Sequence, residues 1–455
     1  MAQTDTSRST QGQLYESESI GRILLRTTPP VMLAQLILAL YNIVDSFFVG
    51  LYSGDGLTAL SVVFPIQLLI TALATGTGVG VNTLMSRCYA LREHKRADNT
   101  GGTGMLLALV SWALFTLVVL PILRPFAVVS SDSAAVADLT FTYGSIICIG
   151  APGVFLESIW TKVHQAAGNM RRPMAAQIVG AVTNIILDPI LIFGLGPIPS
   201  MGVAGAAIAT VIGQFTAAAI VFKGGVRRIP VLKTMRPLIR EIYRLGYPSI
   251  CMQALYTVYI AILNMILAGF SDAAVTVLGL YYKLQSFFFI PLYGMQTSIV
   301  PLMSYNYARR AYDRCRRAMN LSTFISVAFM LVGVICFECI PGPLLRLFSR
   351  DTEVLRIGVP AFRIIGASFL SAGAGLMCPV FFQAIGRGRE SVFLSLLRQI
   401  FCLVPFFWVF SLIGLGWTWL AFPVSETITA AFGLTLYRRE LRRWESGSAA
   451  PLQDN

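Results

Sequence analysis

The sequence predicts an all-α polytopic membrane protein with twelve transmembrane helices in two pseudo-symmetric six-helix lobes. Of its 455 residues, 55% are hydrophobic and only 13% are charged, whereas a soluble domain carries about 25% charged residues. Twelve apolar runs are long enough to cross a bilayer as helices. The second half of the chain also repeats the first at one fixed offset, which predicts two lobes of similar fold.

The apolar runs alternate with loops of very different basic content. These runs cover residues 30–52, 57–86, 101–123, 138–160, 174–196, 201–222, 245–270, 273–303, 318–340, 358–385, 391–413 and 417–437. Of the 35 Lys and Arg residues, 28 fall in the tails and in every second loop, and four fall in the other loops. By the positive-inside rule both termini are cytoplasmic. The net charge of +13 therefore reflects topology, and the expected partner is a bilayer, with no nucleic acid.

Composition divides the chain into five segments. Residues 1–20 are polar and lack the apolar core of a signal peptide, so we expect a disordered cytoplasmic tail. Residues 21–222 hold spans 1–6, and residues 245–440 hold spans 7–12. The basic segment 223–244 is predicted to link the two lobes in the cytoplasm, and residues 441–455 to form a second cytoplasmic tail.

An offset of 218 residues relates the two lobes. It aligns Pro30 with Pro248, Gln35 with Gln253, Tyr41 with Tyr259, Gly76 with Gly294, and Gln165-Ala166 with Gln383-Ala384. The intramembrane acids break this repeat, because Asp45 aligns with Leu263 and Asp188 aligns with Phe406. The sequence therefore predicts that the acidic chemistry is confined to the first lobe.

Asp45 lies inside the first apolar run. A carboxylate at membrane depth costs about 2.5–3.5 kcal/mol on insertion scales, so it must face protein, water or a ligand. Gln35, Asn42 and Asp45 are separated by seven and three residues, close to whole helical turns, and so share one side of the helix. A buried structural hydrogen bond and a carboxylate that binds a ligand or relays a proton both fit this pattern. The second is favoured, because intramembrane acids are usually functional.

The fifth run carries a second polar cluster. Asn184 and Asp188 are four residues apart and share a helix face. Pro189 has no N–H and leaves a backbone carbonyl unpaired. Together these oxygens fit a proton site or a hard cation, whereas the alternative is a kinked helix whose Asp only satisfies its own backbone. Thr210 in the sixth run is a weaker candidate for the same site.

The remaining candidates have structural alternatives of equal or greater weight. Tyr143 in the fourth run is either a site residue or an interfacial anchor. Glu157 near the cytoplasmic end of that run either binds a cation or forms a surface salt bridge. In the second lobe Lys283, Arg398 and Glu426 lie within spans, and opposite charges at membrane depth usually pair, so we predict a structural ion pair.

The sequence offers no support for an enzyme. It contains no HExxH, GxSxG or GxxxxGK[ST] motif, and only two His residues, so no catalytic constellation and no cofactor are expected. Cys336 and Cys339 form the only CxxC pair, and packing is favoured over a zinc site, because zinc needs two more ligands.

Four segments make the chain resemble the multidrug and toxic compound extrusion (MATE) family. They are NIVDSFFVG at 42–50, QAAGNMRRPM at 165–174, NIILDPILIFGLG at 184–196 and GVAGAAIAT at 202–210. The resemblance covers essentially the whole chain and points to the prokaryotic branch with DinF-like and MepA-like proteins. It implies a monomeric secondary antiporter in the cytoplasmic (inner) membrane, which exports small organic cations in exchange for H⁺ or Na⁺.

The resemblance also implies roles for individual residues. Five residues match the positions at which the family binds its coupling cation or proton: Asp45, Asp188, Asn184, Thr210 and Tyr143. If the coupling ion is Na⁺, its ligands are the same residues without Tyr143. Candidate substrate contacts are Gln35, Asn42, Glu157, Tyr41, Tyr259, Gln253 and Met295. Any one aromatic or Met residue among these is more often ordinary packing. A lipid-linked oligosaccharide flippase is the alternative function, although a site for pyrophosphate should be rich in Arg and Lys, and the first lobe is acidic.

The basic asymmetry of the loops makes a prediction about topology. In a Cys-free background, single cysteines at Gly54 and Pro199 should react with an impermeant maleimide added outside intact cells, and one at Arg228 should not, because only the first two lie in weakly basic loops. Labelling in the opposite pattern would reverse the orientation.

Overall fold

The computed structural model describes residues 14–130, 133–348 and 351–446. Within these ranges nine helices are long and apolar enough to span a membrane, and three bent helix pairs raise the number of candidate spans to twelve. In chain order the spans are Ile20–Tyr52, Gly54–Ala90, His94–Val129, Ala134–Gly150 with Pro152–Ala166, Arg171–Phe193, Gly202–Gly225, Leu232–Ala268, Asp272–Phe288 with Ile290–Ala308, Tyr312–Cys339, Thr352–Gly366 with Phe369–Ala384, Gly388–Ser411 and Leu415–Glu445. The predicted all-α membrane fold is confirmed.

The described residues fall into two compact units. Unit 1 contains Pro29–Ile250, and unit 2 contains Tyr15–Thr28 and the chain from Cys251 onward. Spans 1 and 7 therefore each contribute residues to both units. Pro30 and Pro248, which the repeat aligns, lie within one turn of these two crossing points. Each proline removes one backbone N–H from the helical hydrogen-bond ladder, so both helices are weakened where they pass between units.

The repeat extends to backbone conformation. Arg92 and Arg310, 218 residues apart, both have positive φ, at 61° and 57°. Gly168 and Gly386 are related by the same offset and have φ of 85° and 83°. A positive φ is costly for a residue with a Cβ atom, so its recurrence at Arg92 and Arg310 marks a turn that both units need. The loops after spans 2 and 8 therefore share one turn conformation, as do the loops after spans 4 and 10.

The chain before span 1 is folded from residue 14 onward, in contrast to the disordered tail expected for residues 1–20. Residues 1–13 lie outside the described part of the chain. Leu14–Ser17 is a short helix, and Tyr15 is fully buried in unit 2. Its carbonyl oxygen accepts hydrogen bonds from Arg314 Nη2 at 2.7 Å and from Asn306 Nδ2 at 3.3 Å. These partners lie almost 300 residues away, which is why local composition does not reveal the order.

The segments expected to form a linker and a second tail are partly helical. Span 7 begins at Leu232, inside the predicted linker 223–244, because this stretch packs on span 2. A Cβ atom on Gly80 would lie 2.1 Å from the carbonyl oxygen of Ile242. Span 12 continues to Glu445, and residues 447–455 of the predicted tail lie outside the described residues.

Spans 5 and 6 of unit 1 pack backbone to backbone. A Cβ atom on Gly205 would lie 2.4 Å from the carbonyl oxygen of Leu191, and one on Gly213 would lie 2.7 Å from that of Gly180. Small residues permit such close approach in membranes, where helix packing is a main source of stability. This contact fixes how near the polar side chains of spans 5 and 6 can come to one another.

The close approach makes Gly213 sensitive to substitution. Gly213→Ala should lower the midpoint of thermal unfolding of the purified protein, because overpacking of this kind costs about 1–3 kcal/mol. Gly279→Ala is the matched control, since Gly279 lies on a helix with nothing within 4 Å of its added Cβ atom and alanine is the better helix former. Equal midpoints for both variants would contradict the packing described.

Candidate functional site

Four helices of unit 1 bring together five polar side chains. Asp45 comes from span 1, Tyr143 from span 4, Asn184 and Asp188 from span 5, and Thr210 from span 6. All five are buried, with 8% of Asp45 and none of Asp188 exposed. The five residues for which the sequence predicts cation or proton coupling thus form one site. We call it the aspartate site.

Asn184 is the central hydrogen-bond donor of the aspartate site. Its Nδ2 donates to Asp188 Oδ1 at 3.1 Å and to Thr210 Oγ1 at 3.4 Å. The first bond follows from the spacing of four residues on one helix. The second crosses from span 5 to span 6 and depends on Gly213, whose Cα lies so near that a Cβ atom would contact the Asn184 Cβ at 3.1 Å.

Tyr143 connects the site to span 2. Its hydroxyl accepts a hydrogen bond from Gln67 Nε2 at 3.3 Å and also lies in hydrogen-bonding contact with Thr210. Gln67 was not predicted as a site residue. The signal that marks it is an uncharged amide inside a long apolar run, recurring at Gln285 through the repeat, but this signal does not identify its partner.

Three oxygen atoms of the aspartate site have no hydrogen-bond donor among the described residues. They are Asp45 Oδ1, Asp188 Oδ2 and Asn184 Oδ1. Asp45 and Asp188 lie within electrostatic range of each other, and neither forms an ion pair with a described Lys or Arg residue. Buried carboxylates of this kind are costly unless a proton or a cation neutralises them. The site is therefore built to receive positive charge.

The donor set limits which cations would fit the aspartate site. No group of three or more His, Cys, Asp or Glu side chains that could hold a metal ion occurs within the described ranges. Two carboxylates, one amide oxygen and one hydroxyl are hard oxygen ligands, and they lack the nitrogen and sulphur donors that transition metals prefer. A proton or Na⁺ matches this chemistry.

The candidate substrate residues of unit 1 divide into two groups. Tyr41 is half-buried and within electrostatic range of both aspartates, so it adjoins the aspartate site. Gln35 is half-buried six residues earlier on the same span, and the Asn42 side chain lies outside the described residues. Glu157 accepts a hydrogen bond from Thr161 Oγ1 at 2.7 Å and belongs to a separate polar group at the far end of span 4.

In unit 2 the candidate residues lie in different environments. Tyr259 is buried and packs edge to face against Tyr256 and Tyr282, with ring centroids 5.5 and 6.3 Å away. Gln253 is half-buried. Met295 is buried, and its sulphur accepts a hydrogen bond from the Thr28 hydroxyl at 3.7 Å.

The intramembrane charges of unit 2 form one ion pair from two of the three predicted members. Arg398 Nη2 lies 2.6 Å from Glu426 Oε1, and both side chains are largely buried, at 14% and 6% exposure. Lys283 lies on an exposed face of span 8, next to the buried Leu284, and it forms no ion pair with any described residue. The prediction that Lys283 belongs to this ion pair is therefore wrong. Its long side chain instead reaches the surface of the unit.

Comparison with known proteins places the chain among relatives of the same overall length. It matches the MatE family over residues 30–190 and 248–409, two segments that begin 218 residues apart, as the repeat does. The multidrug export protein MepA of Staphylococcus saprophyticus is 26% identical over 439 residues, covering 92% of this chain and 94% of that protein. MepA of Staphylococcus haemolyticus is 24% identical over 425 residues, covering 91% and 93%.

The fold agrees with a solved structure of similar size. The crystal structure of MATE in the straight conformation has a TM-score of 0.89 and 23% sequence identity to this chain, and the match covers 96% of this chain and 99% of the other. The agreement extends over both units and concerns the fold alone.

Proposed function

Because this chain belongs to the MatE family of membrane transporters, which are not enzymes, we propose that it is a secondary active antiporter. It exports organic cations from the cytoplasm in exchange for protons, and Asp45 and Asp188 couple the two movements. The observation that carries this proposal is a pair of buried carboxylates, each with an unpaired oxygen and neither with a basic partner in the part of the chain that the structure describes.

The coupling follows from competition for the same negative charge. When both carboxylates are ionised, they repel each other, and the aspartate site attracts any cation that reaches it. Once a proton or Na⁺ is bound, the site no longer holds a cationic substrate. A site that accepts either ligand but not both links their movement in opposite directions.

The driving force is adequate for export. Each unit of pH gradient supplies about 1.4 kcal/mol per proton, and each 100 mV of membrane potential supplies about 2.3 kcal/mol per charge. Substrate release towards the outside is then driven by proton entry, and the site reloads with substrate after losing its proton to the cytoplasm.

The other site residues have distinct roles. Asn184 holds Asp188 through its Nδ2 group and leaves its own oxygen unpaired, so that oxygen becomes a ligand only when a metal ion binds. Thr210 accepts from Asn184, and Tyr143 is held by Gln67. These two hydroxyl groups fix the polar surroundings of the carboxylates.

The substrate range follows from the relatives. Both staphylococcal relatives are multidrug export proteins, and we propose the same broad range here, with Tyr41 and Gln35 nearest the aspartate site of unit 1. We also propose that the protein is a monomer in the cytoplasmic membrane of a prokaryote, with both termini inside. A lipid-linked oligosaccharide flippase is disfavoured, because two unpaired acids repel a pyrophosphate group.

The aspartates are tested by dye efflux from proteoliposomes under an imposed pH gradient. Asp45→Asn and Asp188→Asn should each abolish gradient-driven ethidium efflux and leave the protein folded. The double variant should be no worse than either single variant, because residues that act as a unit are not additive. Asp138→Asn is the matched control, since this acid of unit 1 is 75% exposed, and efflux should be unchanged. Efflux like that of the wild type in either aspartate variant would rule out the coupling.

The same assay distinguishes the coupling ion. Asn184→Ala should have a small effect if protons couple, because a carboxylate takes up a proton without further ligands. It should have a large effect under a Na⁺ gradient if Na⁺ couples, since only a metal ion needs the amide oxygen.

A further inference from the structure

The Arg398–Glu426 ion pair of unit 2 leaves part of its hydrogen-bonding capacity unused. Arg398 Nε and Nη2 both donate to the same oxygen, Glu426 Oε1, at 2.8 and 2.6 Å. The other carboxylate oxygen, Oε2, is buried without a donor, and so is the Oε1 atom of Gln399. A guanidinium group has five N–H donors, and Glu426 is its only hydrogen-bond partner among the described residues. A purely structural ion pair is stable only when such remaining groups are satisfied.

The local helix is also irregular. Arg398 lies in a π-helical segment, Leu397–Leu403, within span 11. Segments of this type occur frequently at functional sites, because the extra residue in the turn redirects side chains. Here the irregularity directs a guanidinium group towards Glu426 on span 12.

The pair occupies a place in unit 2 that corresponds to the aspartate site. At the offset of 218, the helices that carry Arg398 and Glu426 are the counterparts of those that carry Asp188 and Thr210. Tyr259 likewise lies on the counterpart of span 1. The corresponding spans 5 and 11 each hold a largely buried charged residue, Asp188 and Arg398. The second buried charge lies on span 1 in unit 1 and on span 12 in unit 2. The charge differs, because unit 1 presents two acids and unit 2 presents an acid with a base.

Tyrosine side chains lie near the pair. Tyr256, Tyr259 and Tyr282 form a triangle of rings with centroids 5.5 to 6.3 Å apart. Arg398 is within electrostatic range of Tyr259 and Tyr293, and Tyr293 is 37% exposed. Through Tyr293 the cluster reaches the surface of the unit.

We propose that the Arg398–Glu426 pair and its tyrosines form a second binding site, specific for aromatic zwitterions. A ligand ammonium group donates to Glu426 Oε2, and a ligand carboxylate accepts from the free N–H groups of Arg398. The pair has no net charge. A ligand with one charge of each sign therefore forms hydrogen bonds with both residues without adding net charge to a buried site. A simple cation or a simple anion satisfies one partner and leaves the other unpaired. Aromatic rings of the ligand pack against the tyrosines.

Three matched probes test this site on the purified full-length protein. 4-(Aminomethyl)benzoate is a zwitterion at neutral pH, its methyl ester is a cation, and its N-acetyl derivative is an anion. Calorimetry should show about tenfold tighter binding of the zwitterion than of either derivative, because each derivative loses one charge-assisted hydrogen bond. Equal binding of all three probes, or no binding of the zwitterion at millimolar concentration, would overturn the proposal.

Variants locate the site. R398M/E426L replaces the pair with apolar groups of similar size, which buried ion pairs often tolerate without loss of stability, and it should abolish the preference for the zwitterion. R387M/E440L is the control, since it removes another ion pair of unit 2, in which Glu440 is buried and Arg387 is 32% exposed. Wild-type preference in R398M/E426L would place zwitterion binding elsewhere. If that variant does not fold, the ranking of the three probes by thermal stabilisation of the wild-type protein decides the question.

The site is separable from the coupling proposed for unit 1. D188N, which is expected to lose efflux, should still prefer the zwitterion about tenfold. Loss of that preference in D188N would overturn an independent site in unit 2, whereas persistence of efflux in D188N concerns the aspartates alone.

Discussion

The constraint on which unit 1 depends is the burial of two carboxylates that have no basic partner within the described ranges. Asp45 and Asp188 each keep one oxygen without a donor, and their mutual repulsion adds to the cost of burial. The protein holds them because spans 5 and 6 pack through glycine, which lets Asn184 donate both to Asp188 and to Thr210. A proton or a cation relieves the repulsion, so its arrival or departure changes the free energy of the whole unit. Coupled export requires this property.

The two units share backbone conformation but differ in the side chains that their corresponding helices carry. Their turns repeat to within a few degrees at Arg92 and Arg310, because backbone conformation is fixed by packing and by the turn itself. The side chains on the three corresponding helices are not fixed in this way. Unit 1 places there two acids that form no ion pair with a described residue, and unit 2 places there a neutral ion pair near tyrosines. The net charge on these helices therefore differs between the units, and the proposed ligands differ with it.

The sequence was informative wherever a pattern is local or periodic. Apolar runs predicted the spans, and a spacing of four residues predicted that Asn184 and Asp188 share a face. Contacts between distant segments could not be predicted from the sequence in this way. The bond from Gln67 to Tyr143 joins residues 76 positions apart, and no local pattern reports it. Lys283 and Arg398 look alike by hydropathy, and only the rotation of each helix decides that Arg398 is buried and Lys283 is exposed.

The most direct test measures protons released when an organic cation binds. The purified protein is placed in weakly buffered, Na⁺-free detergent solution with a pH indicator, and tetraphenylphosphonium is added. If Asp45 and Asp188 exchange a proton for the organic cation, the wild-type protein should acidify the solution on binding, and D45N/D188N should not. Binding of tetraphenylphosphonium to the wild-type protein without any release of protons would contradict proton exchange at the aspartate site.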